Sequence, residues 1–253
     1  MTPASGKQLS QSRGLWRAER LLRWKPGTIH MASGAEAHFK RGMARMAERQ
    51  YKAAYRDLQM AVEAAPEHAE AWSELGWLTY GLELGLGEAA RCLEQAIRLD
   101  PRMGMAQLYY GVVLHRQDER DAAEAHFRLA LGLVDDTALA HAVFAEEFLW
   151  RNSRYGEAED HFRAALESDP DLVLALRYYA RMLACHGRDA EAKEMFSRAL
   201  RVDPADKRTN AAYDEFLSEL VAEDRDPDEC LRAAIDKDPR YTGGILCLQR
   251  RNS

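Results

Sequence analysis

The sequence predicts an all-α fold, an α-solenoid of stacked antiparallel helix pairs, and three observations carry that prediction. Two alanine columns run through it in one register: Ala54, Ala89, Ala123, Ala158 and Ala192, at intervals of 35, 34, 35 and 34 residues, and Ala61, Ala96, Ala130, Ala165, Ala199 and Ala234. The large apolar residues Leu58, Leu93, Phe127, Phe162, Phe196 and Leu231 keep the same intervals. Pro66, Pro101, Pro170, Pro204 and Pro239 close successive units, with Asp135 standing where a proline is due between the second and third of them. Columns held in register at this period belong to a repeat whose units bury their apolar faces against one another.

In chain order, residues 1–33 stand apart as a basic leader. Lys7, Arg13, Arg17, Arg20, Arg23 and Lys25 face the single acid Glu19, a net of +5, so the other 220 residues carry −11 of the total of −6. Residues 1–14 are polar and unpatterned, as in a disordered segment. From Gly14 to Trp24, Leu15, Trp16, Leu21, Leu22 and Trp24 interleave with Arg17, Arg20 and Arg23. This amphipathic stretch (14–24) suits a cap on the first repeat, a groove of the same or a second subunit, or an anionic membrane surface, the one membrane contact the sequence suggests. His30-Met31-Ala32-Ser33 also matches the peptide of a common restriction-site junction. An extension ahead of a start at Met31 and a vector-derived leader thus stand beside a native segment as readings of these residues.

The repeat array spans residues 34–239, and each unit reads as two amphipathic helices. In the second helix of the fifth unit, Ala192, Phe196, Ala199 and Leu200 fall on one stripe of a 3.6-residue period. Small residues there let helix backbones approach, the aromatic fills the space between them, and the proline beyond the last turn prevents the helix from continuing. Asp-Pro at 100–101, 169–170, 203–204 and 238–239 is thus punctuation. Gly81, Gly85 and Gly87 surround a one-residue insertion in the second unit, which predicts a longer and more mobile turn. The sixth unit has Pro227 at the signature alanine. It reads as a capping repeat, with Asp226 capping a short helix over 227–237. Residues 240–253 form a tail, in which Ile245, Leu246 and Leu248 are expected to tuck onto the last helix.

Composition narrows the function. An acidic body argues against binding of nucleic acid by the array. No window approaches 18 uninterrupted apolar residues, and the start lacks a secretory signal, so the expected compartment is the cytoplasm. Cys92, Cys185, Cys230 and Cys247 form no C-x-x-C pair and read as buried thiols rather than as a zinc or redox site. No phosphate loop, nucleophile elbow or metal motif is present; the expectation is a non-enzyme with no cofactor and no metal. The adjacent acids Glu146–Glu147 and Asp135–Asp136, and the equivalently placed His126 and His161, are expected on the solvated surface. High Ala, Arg and Asp content suggests a GC-rich bacterial source.

At these columns the chain resembles the tetratricopeptide repeat family. The second unit matches its pattern with Trp72, Leu75, Gly76, Ala89, Leu93, Ala96 and Pro101, the first with Gly42, Tyr51, Ala54, Ala61 and Pro66, and the third with Gly111, Ala123, Phe127 and Ala130. The fourth and fifth keep the second-helix residues, but Glu146 and Ala180 replace the family's first-helix glycine, which predicts locally wider spacing between the paired helices. The resemblance implies a right-handed superhelix whose concave face, lined by first helices, holds a peptide or helix.

Carried onto this chain residue by residue, the groove places are Phe39, Met43 and Met46, then Trp77 and Tyr80, then Leu108 and Val112. Farther along they are His115 and Arg116, then Glu147, Trp150 and Arg151, then Arg177 and Arg181. An apolar trough giving way to a basic segment implies a partner peptide or amphipathic helix with apolar anchors at one end and acidic residues at the other. The carboxylate clamp that reads heat-shock chaperone tails is excluded, because apolar residues occupy its Lys and Asn places. The trough looks more like that of bacterial secretion chaperones and pilus or complex assembly factors. The expected role is a scaffold, adaptor or chaperone-like protein. The alternative is a self-associating homo-oligomer whose groove is filled by another subunit or by the chain's own leader.

Overall fold

A computed structural model describes residues 33–222. The leader with its 14–24 stretch, the 227–237 helix with Leu231 and Ala234, and the 240–253 tail lie outside the described residues. The described chain is helical throughout: α1 (Ser33–Ala47), α2 (Tyr51–Ala64), α3 (Ala69–Gly81), α4 (Leu86–Leu99), α5 (Gly104–Arg116), α6 (Arg120–Leu133), α7 (Thr137–Phe144), α8 (Tyr155–Ser168), α9 (Val173–Cys185), α10 (Asp189–Val202) and α11 (Lys207–Ala222). Beyond α7 the chain continues as a π-helical turn over Ala145–Trp150.

The chain divides into two compact units, one ending at Asp135 and the other starting at Asp136. The break falls at the one junction where the proline column is interrupted. The first unit holds the pairs α1–α2, α3–α4 and α5–α6; the second holds α7 with its π turn against α8, α9–α10, and α11. Every described member of both alanine columns and of the Leu/Phe column is completely buried. An amphipathic helix of about 15 residues is marginal alone in water, so burial of this stripe, at about 25 cal/mol per Å² of apolar surface, is what holds the pairs together. Close approach explains the glycines. A Cβ on Gly76 would sit 2.7 Å from Leu93 Cγ, and one on Gly111 3.2 Å from Phe127.

Each helix pair of the described repeats turns the same way. At the end of each first helix one residue takes a left-handed conformation: Arg49 (φ 62°), Glu83 (59°), Asp118 (66°), Ser153 (61°) and Gly187 (69°). The next residue donates its N–H to the carbonyl five back, as in Gln50 to Arg45 (2.8 Å), Leu84 to Thr79 (3.1 Å) and Arg188 to Leu183 (3.0 Å), the bond that closes a Schellman turn. Only Gly187 is the residue this geometry favours. In the second repeat Gly85 (φ 127°) follows and accommodates the inserted residue. Arg49→Gly is therefore expected to stabilise the chain by about 0.5–1 kcal/mol, and Gly187→Ala to destabilise it by at least as much, both read from urea midpoints at unchanged slope.

The Asp-Pro punctuation has a direct basis. Asp100, Asp169 and Asp203 each accept, through Oδ1, the N–H two residues on, at 2.9, 3.2 and 3.1 Å. The carboxylate thus satisfies a turn N–H while proline sets φ for that turn. Trp72 Nε1, Gln107 Nε2 and Asn210 Nδ2 then donate back to the carbonyls of Pro66, Pro101 and Pro204, at 2.8, 3.1 and 3.0 Å, tying each new first helix to the end of the preceding unit.

Candidate functional site

In the first unit, most of the expected apolar trough is interior. Phe39 and Trp77 are 2% exposed, Leu108 1% and Val112 0%, and Tyr80 is also buried. The Trp77 ring lies 4.3 Å from Tyr109 at an interplanar angle of 8°, and 5.2 Å from Tyr80 at 30°. Phe39 packs on His68 at 4.6 Å. These residues are filled by one another, which corrects their placement in an open groove: α3 and α5 are buried along almost their whole length, so their large side chains meet the neighbouring helices. Accessible surface remains at Met43 and Met46, which pack partly on the core, and at half-buried His115 and Arg116. Arg116 Nε donates to Tyr80 Oη at 3.1 Å. Under α1, buried Asp57 accepts from Arg41 Nε (2.8 Å) and Arg45 Nη1 (2.5 Å), pinning α1 to α2.

In the second unit, the basic segment sits over a buried ionic cluster. Glu146 and Glu147, on the π turn, are each 1% exposed and Arg177 is 3% exposed. The expectation of a solvated Glu146–Glu147 pair is thereby overturned, and neither Glu147 nor Arg177 lines an open face. Arg177 Nη1 donates to Asp206 Oδ2 at 3.0 Å, Thr209 Oγ1 donates to the same oxygen at 2.6 Å, and the guanidinium lies 5.0 Å from the Tyr178 ring. Glu146 Oε1 accepts from Arg151 Nη2 and Arg181 Nη1, each at 3.4 Å, while Arg151 Nε also pairs with Glu147 Oε2 at 3.4 Å. Arg181 lies 5.4 Å from the Trp150 ring. Desolvation lifts the Glu146 carboxyl to about 7, with Arg181 opposing and Glu147 reinforcing the rise. Trp150, Arg151 and Arg181 keep access to solvent.

The expected surface histidines are half-buried and partnered. His126 Nδ1 meets Gln107 Oε1 at 2.5 Å, and His161 Nδ1 meets His141 Nδ1 at 2.7 Å, with Phe144 edge-on to His161. Desolvation lowers both His126 and His141. Of the other acid pair, Asp135 is exposed and Asp136 caps α7 by accepting from the Leu139 N–H at 3.3 Å.

The burial of the acids was legible in the repeat register, though residue type hid it. Arg177 shares a column with Phe39, Ser73, Leu108 and Val143, and Glu146 one with Gly42, Gly76, Gly111 and Ala180, all buried, whereas the column of Glu147 is mixed, buried at Trp77 and Val112 and half-open at Met43 and Arg181. The column of Met46, Tyr80, His115, Trp150 and Ala184 is half-open at every place but Tyr80, which is buried. Among the described residues, no helix is long and apolar enough to cross a membrane.

Stacked helix pairs, glycine-mediated approach and half-open first helices define a helical-repeat scaffold. A sequence model of the tetratricopeptide repeat matches residues 85–138 and 149–208, a match that together with the solved structures supports a tetratricopeptide repeat protein. Among solved structures it is similar to a thermophilic TPR protein of Thermus thermophilus, at 20% identity and TM-score 0.67, over 72% of this chain and 98% of that one. It is also similar to PilW, a type IV pilus biogenesis factor, at 16% identity and TM-score 0.64, over 87% and 94%. At such identities the likeness establishes the fold. Curated relatives include a DnaJ homolog subfamily C member 7 homolog of Schizosaccharomyces pombe, 23% identical over 74% of this chain and 35% of that protein. The mitochondrial import receptor subunit TOM70 of Homo sapiens is 24% identical over 67% and 29%. The chain spans about a third of the length of these relatives. Tetratricopeptide repeat proteins mediate protein–protein interactions.

Proposed function

We propose that this chain is a non-catalytic scaffold, an adaptor or chaperone-like protein of the cytoplasm, whose first-helix faces hold a peptide or amphipathic helix of a partner protein. The observation that carries the reading is a division of labour on the first helices. Most of their places are filled by the chain's own rings and ion pairs, whereas Met43, Met46, His115 and Arg116 in the first unit, and Trp150, Arg151 and Arg181 in the second, stay accessible. Met offers adaptable apolar contact, and Trp with Arg supplies the anchors that dominate interface energetics. The first unit's surface suits an apolar side chain. The second suits a carboxylate, which a guanidinium fork binds in two places.

The test is quantitative capture from the native cell with Met46→Glu and Arg181→Glu, against Met60→Glu on the outward side of α2. The reading predicts that the first two reduce recovery of one and the same protein at least tenfold while the third leaves it unchanged. Equal recovery in all three contradicts it. Met60, Leu99, Leu129 and Val202, on the second helices, are exposed apolar residues that favour self-association as a second reading. Light scattering that gives a dimer or larger, returned to monomer by Leu129→Glu, would establish that one instead.

A further inference from the structure

We propose that Glu146 and Arg181 form a proton-operated latch: with Glu146 ionised, its Oε1 draws the Arg181 guanidinium inward beside Trp150, and with Glu146 protonated that hold is released. The geometry isolates this pair within the cluster. Arg177 is committed to Asp206, and Arg151 has Glu147 as a second partner, but among the described residues Glu146 is the one carboxylate with which Arg181 pairs. Two consecutive carboxylates buried on one turn do not both ionise without cost. Burial lifts the Glu146 carboxyl, its Oε2 is buried with no hydrogen-bond partner, and its Oε1 makes only long contacts, so the latch places the proton there.

The charged groups facing Glu146 are Glu147 on its own turn, Arg151 just beyond it, and Arg177 and Arg181 from α9, and the titratable Tyr178 and Cys185 of α9 face it as well, Cys185 also sensing Glu215 and Glu219 of α11. Buried α8 residues supply no charge there: they are Ala158, Phe162 and Ala165. Release frees the Arg181 donor that Glu146 holds. Where the partner reading above holds, an acidic partner then binds more tightly as pH falls through neutrality, and its binding raises proton affinity at Glu146 by the same factor.

The latch is testable on the full chain alone, so its failure is distinct from failure of the partner reading. Carboxyl-carbon NMR of glutamate-labelled protein, with resonances assigned by Glu146→Gln and Glu147→Gln, is recorded from pH 5 to 9 alongside the Arg181 Nε–H signal. The latch predicts that the Arg181 signal is protected from exchange above the Glu146 midpoint and loses protection below it, and that Glu146→Gln removes the pH dependence. In Arg181→Gln, loss of the neighbouring cation moves the Glu146 midpoint upward. An Arg181 signal that ignores pH, one whose pH dependence survives Glu146→Gln, or a Glu146 midpoint unmoved by Arg181→Gln overturns the proposal. The last of these decides it if the Glu146 variant does not fold.

Discussion

Trp77→Ala is expected to destabilise the first unit by about 3–5 kcal/mol, the range for truncating a large aromatic in a packed core. The indole stacks on Tyr80 of α3 and Tyr109 of α5, so its removal opens a cavity bordered by two rings that pack on it. Repacking does not close the gap, because Gly76 and Gly111 already hold these helices against α4 and α6 at contact distance. A loss of this size consumes much of the roughly 5–15 kcal/mol that keeps an ordinary domain folded. Urea unfolding followed by far-UV circular dichroism measures it. A change below about 1 kcal/mol would show that Trp77 is a surface anchor after all.

Arg177→Met is expected to cost about 3–5 kcal/mol in the second unit, although Met nearly preserves the volume of the stem. The guanidinium is the ionic partner of a largely buried Asp206, and breaking one side of such a pair leaves an uncompensated charge. Replacing both members with apolar residues avoids that penalty. The double variant Arg177→Met, Asp206→Leu should therefore recover most of the loss, giving a coupling of several kcal/mol in a double-mutant cycle. Additive losses would mean that the pair contributes packing and little electrostatics.

The fold was legible because its signal is periodic. The alanine columns, the Leu/Phe column and the Asp-Pro turns each say the same thing several times, and every described column member is buried as its register requires. The candidate site was legible in part. Assigning Trp77, Leu108 and Val112 to an open face followed the helix that carries them, but neighbouring first helices cover those positions. Glu146, Glu147 and Arg177 were misplaced for the opposite reason. Residue type suggested solvent, whereas their columns were occupied elsewhere by Gly76, Trp77 and Leu108. The π turn at Ala145–Trp150 follows no local sequence rule; it coincides with the place where a glutamate replaces the glycine that lets paired helices touch. The left-handed residues Arg49, Glu83, Asp118 and Ser153 were equally silent, since glycine marks that turn only once, at position 187.

The central claim, that the accessible residues of the first helices are the partner face, is tested most directly by site-specific photo-cross-linking in the native cell. A photoreactive residue is placed in turn at Met46, Trp150, Met60 and Val202. The account predicts that Met46 and Trp150 cross-link to one partner protein, with apolar residues of its segment at the first position and an acidic residue near the second, and that Met60 and Val202 give no such product. The same partner captured from Met60 and Val202, with none from Met46 and Trp150, would contradict it.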